Sequence, residues 1–381
     1  VQFLFLFSLL VVFYATIGYP LVLWLLAMMC RKPVTKAEGT PYISILLSAH
    51  NEEKNIAARI DNLLALDYPR EKMDIIIGSD GSTDETYRIL KKLSEEKMIR
   101  YAVSFQRIGK PAMLNELAKD AKGAIFVFAD AGQRLDPSAV KELIKCFADE
   151  EVGCAAGDLL AIEDKEPGSS EGAESFGSYE KALKEMEGSI GSILDTGGAL
   201  YAIRSDLFKY LPQNLLLDGV FTPMNAIMAD KRAVYAPAAK AYSAASEMTQ
   251  KEFVHKVRAF VGSFQIFSIF AEALNPFRSK IAFQLFSHKF LRLAMPYFLI
   301  LLFISNIFIM DKGPFFASVL SAQIIFCVLA LLGYFLRNSG VKVSGALKVL
   351  YVPYEFCALN AAAAVALFAF LSGGLDVKWG K

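Results

Sequence analysis

Histidine is scarce in this chain of 381 residues, with three copies at His50, His255 and His288, too far apart to assemble a His-rich zinc site. Cysteine is nearly as sparse. Cys30, Cys146, Cys154, Cys327 and Cys357 are odd in number and form no C-x-x-C pair, which points to isolated thiols in a reducing compartment rather than a disulfide frame. The formal net charge is only +1, without a basic stripe, so no nucleic-acid partner is expected. Internal repeats are absent, and the one biased tract is Glu/Gly/Ser-rich, Glu163–Ser178, expected to be a mobile loop or insertion.

Apolar residues are plentiful instead, at 54%, more than a wholly soluble protein carries. They concentrate in four blocks, Val1–Met29, Leu291–Met310, Phe315–Leu336 and Val349–Leu371, each reaching the roughly 20 residues needed to cross a bilayer core. The first block is too long for a cleaved leader, contains Tyr14, Tyr19 and Trp24, and runs into Arg31-Lys32 without a small-residue cleavage pattern. It reads as a retained helix, with a few residues expected ahead of Val1. Arg31 and Lys32, then Lys280, His288, Lys289 and Arg292, then Arg337, Lys342 and Lys348 put alternate span ends on one side. By the positive-inside tendency that side is the cytoplasm, with Asp311–Pro314 and the tail outside. The spans hold few charges, which disfavours an ion pathway. The main exception is Glu355, which suits either the cytoplasmic boundary or a pairing with a lysine.

Between the first and second spans the chain has the charge content of a soluble domain. The expected plan is a first span over 1–30, a cytoplasmic α/β domain over 31–248, interface helices over 249–288, three further spans over 289–372 and a tail over 373–381. In the α/β stretch, apolar runs at Tyr42–Leu47, Asp74–Ser79, Ile99–Phe105 and Ala124–Phe128 alternate with helical spacings, as in Ile56, Ile60, Leu63 and Leu64. That alternation predicts a mostly parallel sheet. Ser82 and Glu85 fit a capping box, and Asp136-Pro137 fits a helix start running through Ala148. Gly197–Ile203 reads as a buried strand and Leu217–Met228 as a helix. In Lys251–Phe270 the residues Phe253, Val257, Phe260, Phe264 and Phe267 mark one apolar face, suiting a helix in the membrane interface.

Two of the apolar runs end in an aspartate, IIIGSDGSTD at Asp80 and AIFVFADAGQRLD at Asp130. Open α/β sheets bind ligands beyond such carboxyl ends. Asp80 either hydrogen-bonds a ribose or base, or closes an Asp-Gly turn. Lys110, in a Gly-Lys-Pro turn before a helix, either meets a diphosphate or is a solvated surface lysine. A carboxylate at Asp130 is costly unless it meets a cation or donors, so a divalent-metal ligand is the sharper reading. Asp136 reads more simply as a cap. Asp218 is a general base or a helix cap.

Taken in order, PYISILLSAHNEE, IIIGSDGSTDET, GKPAMLN, FVFADAGQRLDP, TGGALYAIR and KEFVHKVRAFVGSFQ resemble the inverting family 2 glycosyltransferases. The likeness covers about Pro41 to Gln265, with Ser287–Pro296 similar as well, and it is nearest to membrane-embedded synthases of the poly-N-acetylglucosamine, cellulose and hyaluronan type. It implies a Rossmann-like GT-A domain with about four transmembrane helices in the inner membrane, a UDP-sugar donor, Mg2+ or Mn2+, and a lipid or glycan acceptor. Membrane lipids and accessory subunits of a polysaccharide export system are the further partners implied. Carried over by position, Ala49, Asn51 and Glu52 lie near the base and ribose, Asp80 contacts the nucleotide, Lys110 and Arg258 serve the diphosphate, Asp130 binds the metal and Asp218 is the base.

The sequence departs from that pattern at Gly132, where a second metal-motif carboxylate or amide is usual, and at Gly219, where the second acid is usual. His255 replaces a Gln and Ala259 a Trp, the second removing the aromatic platform expected for processive synthesis. Asp195 is a second candidate base. A catalytically impaired nucleotide-sugar-binding subunit is the alternative these departures raise.

Overall fold

A computed structural model describes residues 1–97, 99–162, 171–198, 200–244, 250–339 and 349–373. The Glu163–Ser170 part of the biased tract, Lys342, Lys348 and the tail beyond Gly373 lie outside the described residues. Two compact units emerge, an α/β unit built from Arg31–Asp164 and Glu187–Ser246 and a helical unit built from Val1–Cys30, Lys165–Met186 and Glu247–Leu375.

The α/β unit is organised on eight strands: β1 (Ile43–Ala49), β2 (Met73–Asp80), β3 (Arg100–Ser104), β4 (Ile125–Ala129), β5 (Gln133–Leu135), β6 (Val152–Ile162), β7 (Leu200–Arg204) and β8 (Arg232–Ala244). They lie in the order β3-β2-β1-β4-β7-β6-β8-β5. β1, β2, β3 and β4 are parallel, and the mainly apolar β1, β2 and β4 are buried on both faces as inner strands of a parallel sheet are. Beyond β4 the sheet is mixed, with β7 antiparallel to both β4 and β6 and β5 antiparallel to β8. β6 and β8 pair in parallel, so four of the seven strand pairings are parallel and the antiparallel ones lie beyond β4. The chain leaves β1 toward β2 and β3, then returns to put β4 on the other flank of β1, which makes the β1/β4 boundary the topological switch point.

Helices cover the faces. In Ile56–Leu64 the residues Ile56, Ile60 and Leu63 fall on one side and are wholly buried in the core with Ile45, Leu47 and Ile75, each contributing about 1.5–3 kcal/mol of apolar burial. The next helix, Thr86–Lys97, starts differently from the expected capping box. Asp84 accepts from the Thr86 N–H at 3.0 Å and the Glu53 N–H at 3.1 Å, whereas the Ser82 hydroxyl accepts the Asn51 N–H at 3.2 Å. Asp136 takes the Ser138 N–H and hydroxyl at 3.0 and 2.8 Å in a turn, and the helix itself runs Ala139–Ile144 before a 3-10 turn. Part of the expected mobile tract is ordered, since the helix Glu171–Ile190 begins inside it.

Four helices of the other unit are long and apolar enough to cross a membrane: Gln2–Met29, Ala282–Ile307, Pro314–Arg337 and Tyr351–Leu371. The helix Gln250–Ile269 turns apolar residues toward them, with Phe264 stacked on Phe370 at 5.5 Å and Phe267 edge-on to Phe290 at 5.9 Å. Packing against the spans thus uses part of the face that the sequence assigned to lipid. Glu355, only 4% exposed, pairs with Lys256 Nζ at 2.6 Å and with Arg337, whose guanidinium lies 5.2 Å over the Tyr354 ring. The pairing alternative for Glu355 is the one realised, and it uses two cations.

Candidate active site

At the switch point a lysine stands between two aspartates. Asp130 directly follows β4, Asp218 opens the helix Asp218–Met228, and Lys110 opens the helix Lys110–Asp120. Lys110 Nζ lies 2.9 Å from Asp130 Oδ1 and 3.1 Å from Asp218 Oδ2. Burial opposes the ammonium charge, but Asp218 and Asp130 more than offset it and hold the Lys110 pKa above its ordinary value. Gln133 Nε2 donates to the second Asp130 oxygen at 3.0 Å. The surface-lysine alternative for Lys110 is not what the fold builds.

Asp80 closes β2 and fastens a loop to it. Its carboxylate, in a residue 3% exposed, accepts the Ile108 N–H at 2.7 Å and the Gly109 N–H at 2.9 Å. These two backbone donors fasten the loop that delivers Lys110. Asp80 also does not meet Asp130 across adjacent strand tips, because β1 lies between β2 and β4. Gly81 is obligatory beside it, with φ +61 and a position where any Cβ would come within 2.5 Å of the Arg107 nitrogen.

Ala49 is 2% exposed and belongs to the core, so its methyl offers no surface to a nucleotide. Asn51, at φ 55, accepts the Thr83 N–H at 2.9 Å, and the Glu52 N–H donates to Thr86 Oγ1 at 2.8 Å. These residues stitch the turn after β1 to the turn after β2, forming the rim of the same sheet edge. Arg258 belongs to the helical unit, on Gln250–Ile269. Asp195 accepts the Gly197 N–H at 2.7 Å and is not one of the carboxylates paired with Lys110.

Two further residues were not singled out in the sequence. Tyr201, on β7 and fully buried, donates to Asp218 Oδ2 at 2.7 Å and stacks on Phe128 with centroids 4.8 Å apart. Burial first, and Asp218 second, push its pKa well above the ordinary tyrosine value, so it remains a donor. Arg59, 3% exposed, donates through Nη1 to Asn62 Oδ1 at 2.7 Å, and Asn62 in turn bonds both backbone groups of Leu135. Burial lowers the Arg59 pKa to about 10, against the attraction of Asp130, and it stays a cation at neutral pH.

The two glycine departures have different physical meanings. A Cβ at Gly219 would lie 2.8 Å from both Thr196 Oγ1 and the Gly198 nitrogen, so position 219 has no room for an acidic side chain. Asp218 is the acid that the fold turns toward Lys110. At Gly132 a Cβ would meet nothing within 4 Å, which leaves open space two residues from Asp130. Among the described residues no three of His, Cys, Asp and Glu cluster as a metal cage. A hard divalent ion that keeps waters and substrate phosphate oxygens needs no such cage, and Asp130 beside open space fits as its single carboxylate.

Residues 44–207 match the Glycosyl transferase family 2 model. The chain carries a family 2 glycosyltransferase domain. Over 117 residues it is 33% identical to a beta-monoglucosyldiacylglycerol synthase of Nostoc sp. (strain PCC 7120 / SAG 25.82 / UTEX 2576), a stretch covering 30% of this chain and 25% of that one. Over 128 residues it is 31% identical to the poly-beta-1,6-N-acetyl-D-glucosamine synthase of Staphylococcus aureus (strain COL), covering 33% and 31%. The matched stretches thus span only about a quarter to a third of these relatives. In fold, the chain resembles the mannosyltransferase PcManGT from Pyrobaculum calidifontis, solved in complex with GDP-Man and Mn2+, at a TM-score of 0.73 and 20% identity over 98% of this chain and 100% of that one. The glycosyltransferase domain has the Rossmann-like GT-A sheet that its motifs led one to expect.

Proposed function

We propose that the protein is a membrane-bound inverting glycosyltransferase that moves a sugar from a UDP-sugar to a membrane-associated lipid or glycan acceptor. The observation that carries this reading is Lys110 held between Asp130 and Asp218 at the switch point. The names of the relatives, a glycolipid synthase and a polysaccharide synthase, support the acceptor class. The basic residues flanking the spans, Arg31, Lys32, Lys280 and Lys289, support a cytoplasmic catalytic face in the inner membrane.

Asp218 takes the proton of the acceptor hydroxyl as that oxygen attacks the anomeric carbon from the side opposite the diphosphate. The glycosidic bond to the diphosphate breaks, and UDP leaves with its electron pair. Lys110 is already fixed near the developing negative charge and is joined in this scheme by Arg258, so little reorganisation accompanies bond cleavage. Asp130 would hold Mg2+ or Mn2+, which when bound would supply further neutralisation of the leaving diphosphate. Asn51 and Glu52 border the base and ribose, and Asp80 acts through the loop it holds.

The test is product analysis of membranes supplied with labelled UDP- and GDP-sugars, together with UDP release by Asp130→Ala and Asp218→Asn. Loss of release in both variants is expected; unchanged release in both overturns the assignments. The alternative is a binding subunit without transfer, favoured by the fact that Lys110 already engages both carboxylates. Calorimetric UDP binding with no product from any acceptor would select it.

A further inference from the structure

Arg59 has more hydrogen-bonding capacity than its surroundings use. It is 3% exposed and keeps its charge at neutral pH, yet only Nη1 is engaged, donating to Asn62 Oδ1 at 2.7 Å. Nε and Nη2 are buried and make no hydrogen bond among the described residues. Buried donors left unmade are costly, more so on a charged group. An apolar side chain of similar volume in place of a buried cation is often neutral or stabilising. Ile56, Ile60 and Leu63 already anchor the helix in the core, so packing alone gives no reason for an arginine at this position.

What lies close to it is Asp130. Ala129 and Ala131, on either side of that aspartate, are buried in the same core as Ile56, Ile60 and Leu63. Asn62, the partner of Arg59, bonds both backbone groups of Leu135, and Gln133 on the same short strand donates to Asp130 Oδ2. Arg59 is thereby fixed against the strand that carries the amide donor of Asp130, and Asp130 is the carboxylate whose attraction it feels. It acts through its field, since Lys110 and Gln133 take the two Asp130 oxygens.

Asp130, Asp218, Lys110 and Arg59 together carry two charges of each sign. A divalent cation arriving alone adds only positive charge to this set, and a nucleotide diphosphate arriving alone adds only negative charge. Arriving together, they leave the balance as it was. At the effective dielectric of a protein interior, one unit charge even ~8 Å from an ion changes its binding about tenfold or more.

We propose that Arg59 is a positioning residue that keeps Asp130 from retaining a divalent ion until a nucleotide diphosphate arrives with it. The diphosphate supplies the negative charge that offsets Arg59, so metal and donor bind as a pair. This rests on the metal role given to Asp130 above and adds the order of binding.

Binding of Mn2+ to the chelator-treated full chain in phosphatidylcholine nanodiscs, read by electron paramagnetic resonance, tests this without any sugar transfer. In the unaltered protein saturating UDP is expected to tighten Mn2+ about tenfold or more, and Mn2+ to tighten UDP by the same factor. Arg59→Met, which removes the charge and keeps the bulk, is expected to tighten Mn2+ about tenfold in the absence of UDP, so that UDP adds less. Arg59→Lys, which keeps the charge, is expected to stay within about twofold of the unaltered protein. Asn62→Asp, which gives Arg59 a carboxylate of its own, should shift Mn2+ as Arg59→Met does, and it stands in if that variant fails to fold. Equal Mn2+ affinity with and without UDP in the unaltered protein, or unchanged Mn2+ affinity in a folded Arg59→Met, overturns the proposal. Product formed without this coupling overturns the inference alone, and coupling without product overturns only the transfer reading.

Discussion

The Tyr201 phenol donates to the same Asp218 oxygen that takes the Lys110 ion pair, at 2.7 and 3.1 Å respectively. Both donors crowd Oδ2, and Oδ1 takes no hydrogen bond among the described residues. The carboxylate is thereby oriented, and in the proposed scheme Oδ1 is the oxygen that receives the proton.

Tyr201→Phe removes that orientation while keeping the stack on Phe128. Turnover is expected to fall about tenfold, equivalent to roughly 1.4 kcal/mol of barrier. Donor affinity by calorimetry is expected to stay within about twofold, since the phenol acts on the base rather than on the diphosphate.

Lys110→Met leaves two neighbouring carboxylates without their shared cation. Donor affinity is expected to drop at least about tenfold, the loss of one charge-assisted contact. Stability carries a pH signature too. The folded Lys110 pKa is raised, so its stabilisation is complete below the unfolded value near 10.4 and is lost as pH rises through the folded value. Thermal melts of the full chain above about pH 10.4 should show an alkaline decline that is smaller in Lys110→Met.

Gly219→Ala and Gly132→Ala should behave oppositely. The first drives a methyl to 2.8 Å from Thr196 Oγ1 and backbone, and overpacking of this kind costs about 1–3 kcal/mol. The second enters open space and is expected to leave the unfolding temperature unchanged. Differential scanning fluorimetry of both variants checks the pair.

Gly132→Asp adds a hard oxygen donor two residues from Asp130. The Mn2+ concentration giving half-maximal transfer is expected to fall several-fold, and titration of metal into chelator-treated enzyme measures it. No change would show that position 132 does not face the ion.

Glu355→Ala removes the buried carboxylate that Lys256 and Arg337 share. Breaking a buried pair from one side costs about 3–5 kcal/mol, so a lower melting temperature in detergent is expected, with double substitution of Glu355 and Lys256 recovering part of it.

How far these features were legible beforehand differs from residue to residue. The parallel half of the sheet was readable because β1, β2 and β4 are unbroken apolar runs, and two of them deliver an aspartate at their ends. β5 and the antiparallel entry of β7 were not, since three residues or a run such as LYAIR carry no sign of strand direction. Asp130, Lys110 and Asp218 were visible as charges at turns. Tyr201 hid inside an apolar strand, where a phenol looks like core. Arg59 hid among the polar positions of an amphipathic helix, because spacing alone does not say which cation is buried. Asp80 was visible at the end of its strand, but its backbone partners were not, as they come from a loop folded back from residue 108.

That loop has a mechanical corollary. With Asp80 clasping the peptide groups just ahead of Lys110, the root of the lysine is mounted on the sheet, and Asp130 and Asp218 pin its ammonium at the far end of a long stem. Moving that ammonium by any distance would mean breaking two ion pairs and unclasping two peptide groups at once.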